Sequence, residues 1–241
     1  MATVDPRAVA DAIAAIQQRI RGLAGERRVQ LVAVTKGFGS DAIRAAVAAG
    51  CSMIGESYAQ ELVSKVAELN DTGDTGDTGD TGDTATVFSM PAIHFIGQLQ
   101  TNKVRQLAGI VDVWQSVDRV SLADEIARRS PAAMIMVQVN ATAEADKGGC
   151  PPTDVGALVA HCQAAGLHVD GLMTIGPTSQ DSHATVDAFT RVRCLVDDLG
   201  LASCSMGMSG DMELAIELGA THIRIGSAVF GQRPHPRTSI R

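Results

Sequence analysis

Apolar residues along the chain follow two alternating rhythms. Short runs rich in Val, Ile, Leu and Met, as in strands buried on both faces, occupy 29–35 (VQLVAVT), 51–55 (CSMIG), 93–97 (IHFIG), 111–117 (VDVWQSV), 133–140 (AMIMVQVN), 169–175 (VDGLMTI), 203–208 (SCSMGM) and 221–225 (THIRI). Between them, 41–49, 58–69, 102–108, 119–129, 154–165, 183–199 and 211–218 carry apolar residues three and four apart, the helical period. Several of these stretches end in a glycine that can take the left-handed cap. One more amphipathic helix, 6–23, precedes the first strand. Eight strands alternating with helices in 241 residues predict an α/β fold: a single (β/α)8 TIM barrel with an extra N-terminal helix, one domain over 1–241.

One segment breaks the pattern. Residues 71–84 read DTGDTGDTGDTGDT, with no apolar side chain to offset the entropy of ordering, and are predicted to be a disordered insert. Aspartate at every third position could suggest a calcium-binding array, but the repeat lacks the Gly-and-Glu pattern of an EF-hand loop, so no metal is expected there. The net charge of −7 owes five units to this repeat, leaving a nearly neutral body. With only 3% aromatic residues, the chain offers neither a basic face nor stacking platforms, which argues against a nucleic-acid partner. No run of eighteen apolar residues occurs, and the first nine residues include Asp5 and Arg7. Neither a membrane span nor a secretory signal is therefore expected, and the protein is placed in the cytoplasm. Five cysteines without a C-x-x-C pair are expected to be reduced thiols rather than disulfides or zinc ligands.

In a barrel of this kind, chemistry gathers at the carboxyl ends of the strands. Lys36 closes the first run on the same period-2 face as Val32 and Val34, so if those valines point inward its amine does too. Desolvation lowers the pKa of such an amine toward the range where it attacks a carbonyl. At the other end of the chain, the seventh run leads through SMGMSGD (205–211) into a helix, and the eighth ends RIGSAVFG (224–231). Loops after strands seven and eight of a barrel are frequent phosphate sites, because small residues leave backbone donors open to an anion. Strands one and eight adjoin in a closed barrel, which sets amine and phosphate site side by side. These residues point to an aldehyde-bearing phosphate held as a Schiff base. Pyridoxal 5′-phosphate (PLP) meets both requirements, and so does a phosphorylated sugar aldehyde.

The motifs VTK (34–36), GESYAQE (55–61), HFIGQLQTNK (94–103), GLMTI (171–175), SMGMSGDME (205–213) and RIGSAVFG (224–231) resemble those of the pyridoxal phosphate homeostasis protein family, itself similar to the N-terminal barrel of alanine racemase. The resemblance spans the chain apart from the DTG insert. It implies a PLP-binding barrel that buffers the cofactor and delivers it to apo PLP-dependent enzymes, with Lys36 as the Schiff-base lysine. It further implies Arg224 facing the pyridine nitrogen, and Ser205, Ser209, Gly226 and Ser227 holding the phosphate. Ser57 stands where the family commonly has Asn, which changes the side chain offered to the cofactor there.

Met206, with Met208 and Met173, is expected to line the ring pocket, since thioethers pack adaptably on aromatic faces. A guanidinium does not surrender its proton, so Arg224 would keep the pyridine nitrogen unprotonated and weaken the ring as an electron sink. A two-base racemase needs a second proton-transfer group, which alanine racemase takes from a further C-terminal domain. Here the chain ends soon after the eighth strand, and its one tyrosine, Tyr58, lies at the start of a helix. A PLP carrier is therefore the leading expectation. A low-activity amino-acid racemase and a Schiff-base aldolase are the alternatives. His94 and His222 are expected to pack in the core, and Lys147 to be a solvated loop lysine.

Overall fold

The computed structural model describes residues 3–71 and 88–232. The DTG repeat, apart from Asp71, lies outside the described residues. The chain opens with α1 (Pro6–Ala24), capped by the Asp5 carboxylate, which accepts from the Arg7 amide at 2.9 Å, and started by Pro6. The barrel then runs β1 (Gln30–Val34), α2 (Ser40–Ala48), β2 (Met53–Glu56), α3 (Ala59–Asp71), β3 (Ala92–Phe95), α4 (Val104–Leu107), β4 (Val113–Val117) and α5 (Val120–Arg129). It continues with β5 (Met134–Val139), α6 (Val155–Ala164), β6 (His168–Thr174), α7 (Ser182–Asp198), β7 (Ser203–Ser205), α8 (Met212–Glu217), β8 (His222–Ile225) and the single turn α9 (Ser227–Phe230). The eight strands are parallel and close in sequence order, with β8 hydrogen-bonded to β1. This is the (β/α)8 barrel that the alternating rhythms predict.

Two elements differ from the sequence expectation. The seventh strand stops at Ser205 because Gly207 takes φ +91°, and an added Cβ there would lie 2.4 Å from the Cβ of Ala215. Only glycine lets the chain turn this close beneath α8. After β8, where the sequence suggested a bare turn, residues 227–230 wind into α9.

The main core lies between the strands and the helices. There, outward residues such as Leu31, Ala33, Ile54, Phe95, Trp114, Ile135, Leu172 and Ile223 meet the apolar stripes of the helices. Val9, Ile13, Ile16 and Ile20 form the stripe of α1, which packs on α2, α8 and α9 and so covers the seam where β1 meets β8. The barrel's interior is different. Branched apolar side chains usually fill it, but here Val113, Met136 and Met173 form only a small apolar cluster. Much of the remainder is polar: His94, Gln115, Gln138, Ser205, His222 and Arg224 are all buried. Such groups are retained in a core only where their hydrogen bonds are met.

Candidate functional site

The interior polar groups form a directed chain. Arg224 on β8 donates through one guanidinium nitrogen to the Ser205 hydroxyl at 2.8 Å and through the other to the Thr174 carbonyl at 2.7 Å. Ser205 on β7 passes its only proton to Gln115 Oε1 at 2.7 Å, and the Gln115 amide on β4 meets His94 Nδ1 at 2.6 Å. With the amide donating, that ring nitrogen is an acceptor. Burial holds the His94 pKa at about 3, so the imidazole is neutral. The His222 ring stands 5.9 Å away, its pKa likewise lowered by burial. Five strands, β3, β4, β6, β7 and β8, thus cooperate around one buried cation. Burial lowers Arg224 to about 10, which leaves the guanidinium charged at neutral pH, and neither of its two bonded partners is a carboxylate.

Above this chain, at the carboxyl ends of the strands, lies a cavity of about 270 Å³. It is lined by Lys36 and Val34 from the first strand's end, Arg224, Gly226 and Ser227 from the eighth, Ile96 and Ile175, and Met208, Ser209 and Gly210 from the turn after β7. Six of the residues singled out in the sequence therefore converge: Lys36, Met208, Ser209, Arg224, Gly226 and Ser227. The hydroxyl of Ser227 lies 3.3 Å from that of Ser209, joining the two small-residue turns. A Cβ on Gly226 would sit 3.3 Å from the Val34 carbonyl oxygen, so glycine keeps the eighth strand's end tight against the first. The Asp211 carboxylate accepts from the Met208 amide and closes the seventh turn, while the amides of Ser209 and Gly210 find no acceptor among the described residues. Open amides beside two hydroxyls suit an anion.

Ser57, Met173, Ser205 and Met206 lie outside the cavity lining. Ser205 is fully buried beneath the cavity, with its hydroxyl committed to Gln115 and Arg224. Met206, one residue on, faces the other way and is buried in the layer between strands and helices, 3.6 Å from the Cys204 sulfur. Of the three methionines, Met208 is the one at the cavity, and Met173 belongs to the interior cluster. Ser57 follows β2, where the chain is pressed so closely that a Cβ on Gly97 would fall 2.2 Å from the Ser57 carbonyl oxygen. Its hydroxyl is buried and has no hydrogen-bond partner among the described residues. Tyr58 is exposed.

A larger cleft of about 470 Å³ shares Ile175, Met208, Ser209 and Gly210 with the cavity and extends to Lys147. Contrary to the solvated lysine expected, Lys147 is mostly buried at this rim, donating to the Gly176 carbonyl and paired with Glu144. Its loop folds inward because Asn140 Nδ2 donates to the Glu144 carbonyl at 2.9 Å and Cys150 returns to pair beside Val139.

The sequence reading missed a buried ionic cluster behind Lys36. Lys65 of α3, 1% exposed, donates to Glu56 Oε1 at 2.6 Å, to Glu61 Oε1 and to the Thr35 carbonyl at 2.9 Å. The signal was present: Lys65 is one of four lysines in the chain, and it sits on the buried stripe of its helix beside Leu62 and Leu69. Among the described residues, no three His, Cys, Asp or Glu side chains converge to hold a metal ion, and no helix is long and apolar enough to cross a membrane.

Comparison with known proteins fits this geometry. The model of the alanine racemase N-terminal domain family matches residues 4–234. A pyridoxal phosphate homeostasis protein of Pseudomonas aeruginosa is 39% identical over 239 residues, covering 94% of this chain and 96% of that protein. PipY of Synechococcus elongatus, solved with PLP bound, superposes with a TM-score of 0.77 at 30% identity, covering 92% of this chain and all of that one. Alanine racemase of Corynebacterium glutamicum has the same fold, with a TM-score of 0.69 at 15% identity, and the match covers 95% of this chain and 62% of that one.

Proposed function

The chain belongs to the pyridoxal phosphate homeostasis protein family, whose barrel is that of the alanine racemase N-terminal domain, and from this we propose that it binds, buffers and delivers PLP. The observation that carries the reading is the single cavity in which the amine of Lys36, the guanidinium of Arg224 and the hydroxyls of Ser209 and Ser227 meet. When bound, PLP supplies an aldehyde that condenses with an amine to a Schiff base, releasing one water, and a pyridine ring able to accept electrons.

The residues suit that group. Lys36 would provide the amine, and Ser209, Gly226 and Ser227, with the open amides of the seventh turn, would grip the phosphate. Arg224 would face the ring nitrogen, and because it stays charged at neutral pH it would leave that nitrogen unprotonated, which disfavours carbanion chemistry. Ser205 would act through Arg224 by fixing the guanidinium. Met208 offers a thioether at the cavity wall. With the larger cleft alongside, the cofactor would be held without being sealed in, which suits release to apo enzymes. Five free thiols accord with a reducing, cytoplasmic setting.

Borohydride reduction of PLP-loaded protein followed by mass spectrometry should place the adduct on Lys36 and find none in Lys36→Ala. Retention of the yellow chromophore by that variant would overturn the assignment. Mixing loaded protein with an apo PLP enzyme should activate it faster than an equal concentration of free PLP, and equal rates would count against delivery.

A further inference from the structure

The cluster around Lys65 is costly. Three ionisable groups, Lys65, Glu56 and Glu61, meet between the strands and α3, and Lys65 and Glu56 are withdrawn from water entirely. Burial raises the pKa of Glu56, and its second oxygen has no partner among the described residues. Well-packed apolar side chains of similar volume would commonly stabilise such a layer as well or better. The cluster's value is therefore to be sought in what it holds.

Its hydrogen bonds converge on the two residues flanking Lys36. The Thr35 carbonyl accepts from Lys65 Nζ at 2.9 Å, and the Thr35 hydroxyl donates to Glu56 Oε1 at 2.6 Å. On the other side, the Gly37 amide donates to Glu61 Oε1 at 2.7 Å. Gly37 takes φ +84°, so the chain swings sharply after Lys36. Thr35 shares the outward parity of Leu31 and Ala33, whereas Lys36 shares the inward parity of Val32 and Val34. The brace thus grips the backbone from behind the strand and leaves the Lys36 side chain on the cavity side.

We propose that Lys65, with Glu56 and Glu61, is a positioning device for Lys36: it fixes the Thr35–Gly37 turn so that the amine is presented to the aldehyde of a bound cofactor. The proposal rests on the PLP-binding reading above. Lysine has a flexible four-carbon tether, so fixing its backbone anchor removes part of the orientational cost of bringing the amine to the carbonyl. The step it assists is addition of the neutral amine nitrogen to the aldehyde carbon, followed by loss of one water to give the C=N bond.

The test separates binding from bond formation. Full-length wild type, Glu61→Ala, Glu61→Gln and Lys65→Met are mixed with saturating PLP. The first-order appearance of the Schiff-base absorbance is followed alongside total bound PLP and the melting temperature. Glu61→Ala should slow bond formation about tenfold, the size of one lost hydrogen bond to a charged group, with PLP still bound. Glu61→Gln keeps an acceptor oxygen for Gly37 and Lys65 and should recover to within about twofold of wild type. Lys65→Met should be slowed at least as much as Glu61→Ala. If it does not fold, the Glu61 pair decides alone. A fall in melting temperature with unchanged rates would overturn the positioning role and leave the cluster a structural element. Absence of any Lys36 adduct in wild type would instead remove the PLP reading, and this proposal with it.

Discussion

Replacing Ser205 with alanine deletes one oxygen from the middle of the interior chain, and the structure sets the size of the effect. The buried Arg224 guanidinium loses an acceptor at 2.8 Å, and a hydrogen bond to a charged group contributes about 1.5–3 kcal/mol. Gln115 Oε1 loses its donor at 2.7 Å and is left buried and unsatisfied, at a further cost of about 1–3 kcal/mol. A loss of about 3–5 kcal/mol is expected at neutral pH, a large share of the about 5–15 kcal/mol that holds a typical protein folded. Urea denaturation of wild type, Ser205→Ala, Gln115→Leu and the double variant measures both the loss and the coupling. Because the two residues share one hydrogen bond, the cycle should show about 0.5–3 kcal/mol of interaction. A loss below about 1 kcal/mol for Ser205→Ala, or strict additivity in the cycle, would refute the idea that these groups hold Arg224 as a unit.

Two further outcomes follow from the placement of the site residues. His94 is held neutral in the folded state, with a pKa of about 3 against 6.5 for the free side chain, so only the unfolded chain takes up its proton as pH falls between those values. Stability should therefore be full above pH 6.5 and decline toward pH 3, by about 2 kcal/mol from this residue on reaching pH 5. A His94→Gln variant should show a shallower dependence in urea melts, and an unchanged slope would contradict the assignment. Met206 and Met208 should part company: Met206→Ala should cost about 2–5 kcal/mol of stability with little effect on PLP affinity. Met208→Ala should weaken PLP binding at nearly unchanged melting temperature, and the reverse result in equilibrium titrations would move the ring pocket to the other side of the strand.

Much of this was legible along the chain, and the failures have physical causes. The eight strands could be located because buried parallel strands are apolar on both faces, and the inward parity of Lys36 followed from Val32 and Val34. Period-2 parity also separates Ser205 from Met206, and applying it to the seventh strand would have sent Met206 outward at once. The partners of Arg224 were not legible. Ser205 and Thr174 bond it directly, and Gln115 and His94, reached through Ser205, come from strands remote in sequence and join it only because closing the cylinder stacks the strands around one interior. The Lys65 cluster was hidden for the same reason: Glu61 and Lys65 are a helical i, i+4 pair that could be read locally. Their convergence on Thr35 and Gly37 depends on how α3 lies against the first strand.

The seam between β1 and β8, with Val32 beside Arg224 and Ala33 beside Ile225, also imposes an order of events during translation. Lys36 leaves the ribosome among the earliest parts of the cylinder, whereas Ser209, Gly226 and Ser227, which line the same cavity, emerge among the last. A nascent chain therefore carries Lys36 long before the cavity that Lys36 lines can form. Under the proposed function, capture of the cofactor is then a property of the finished barrel and not of a growing chain.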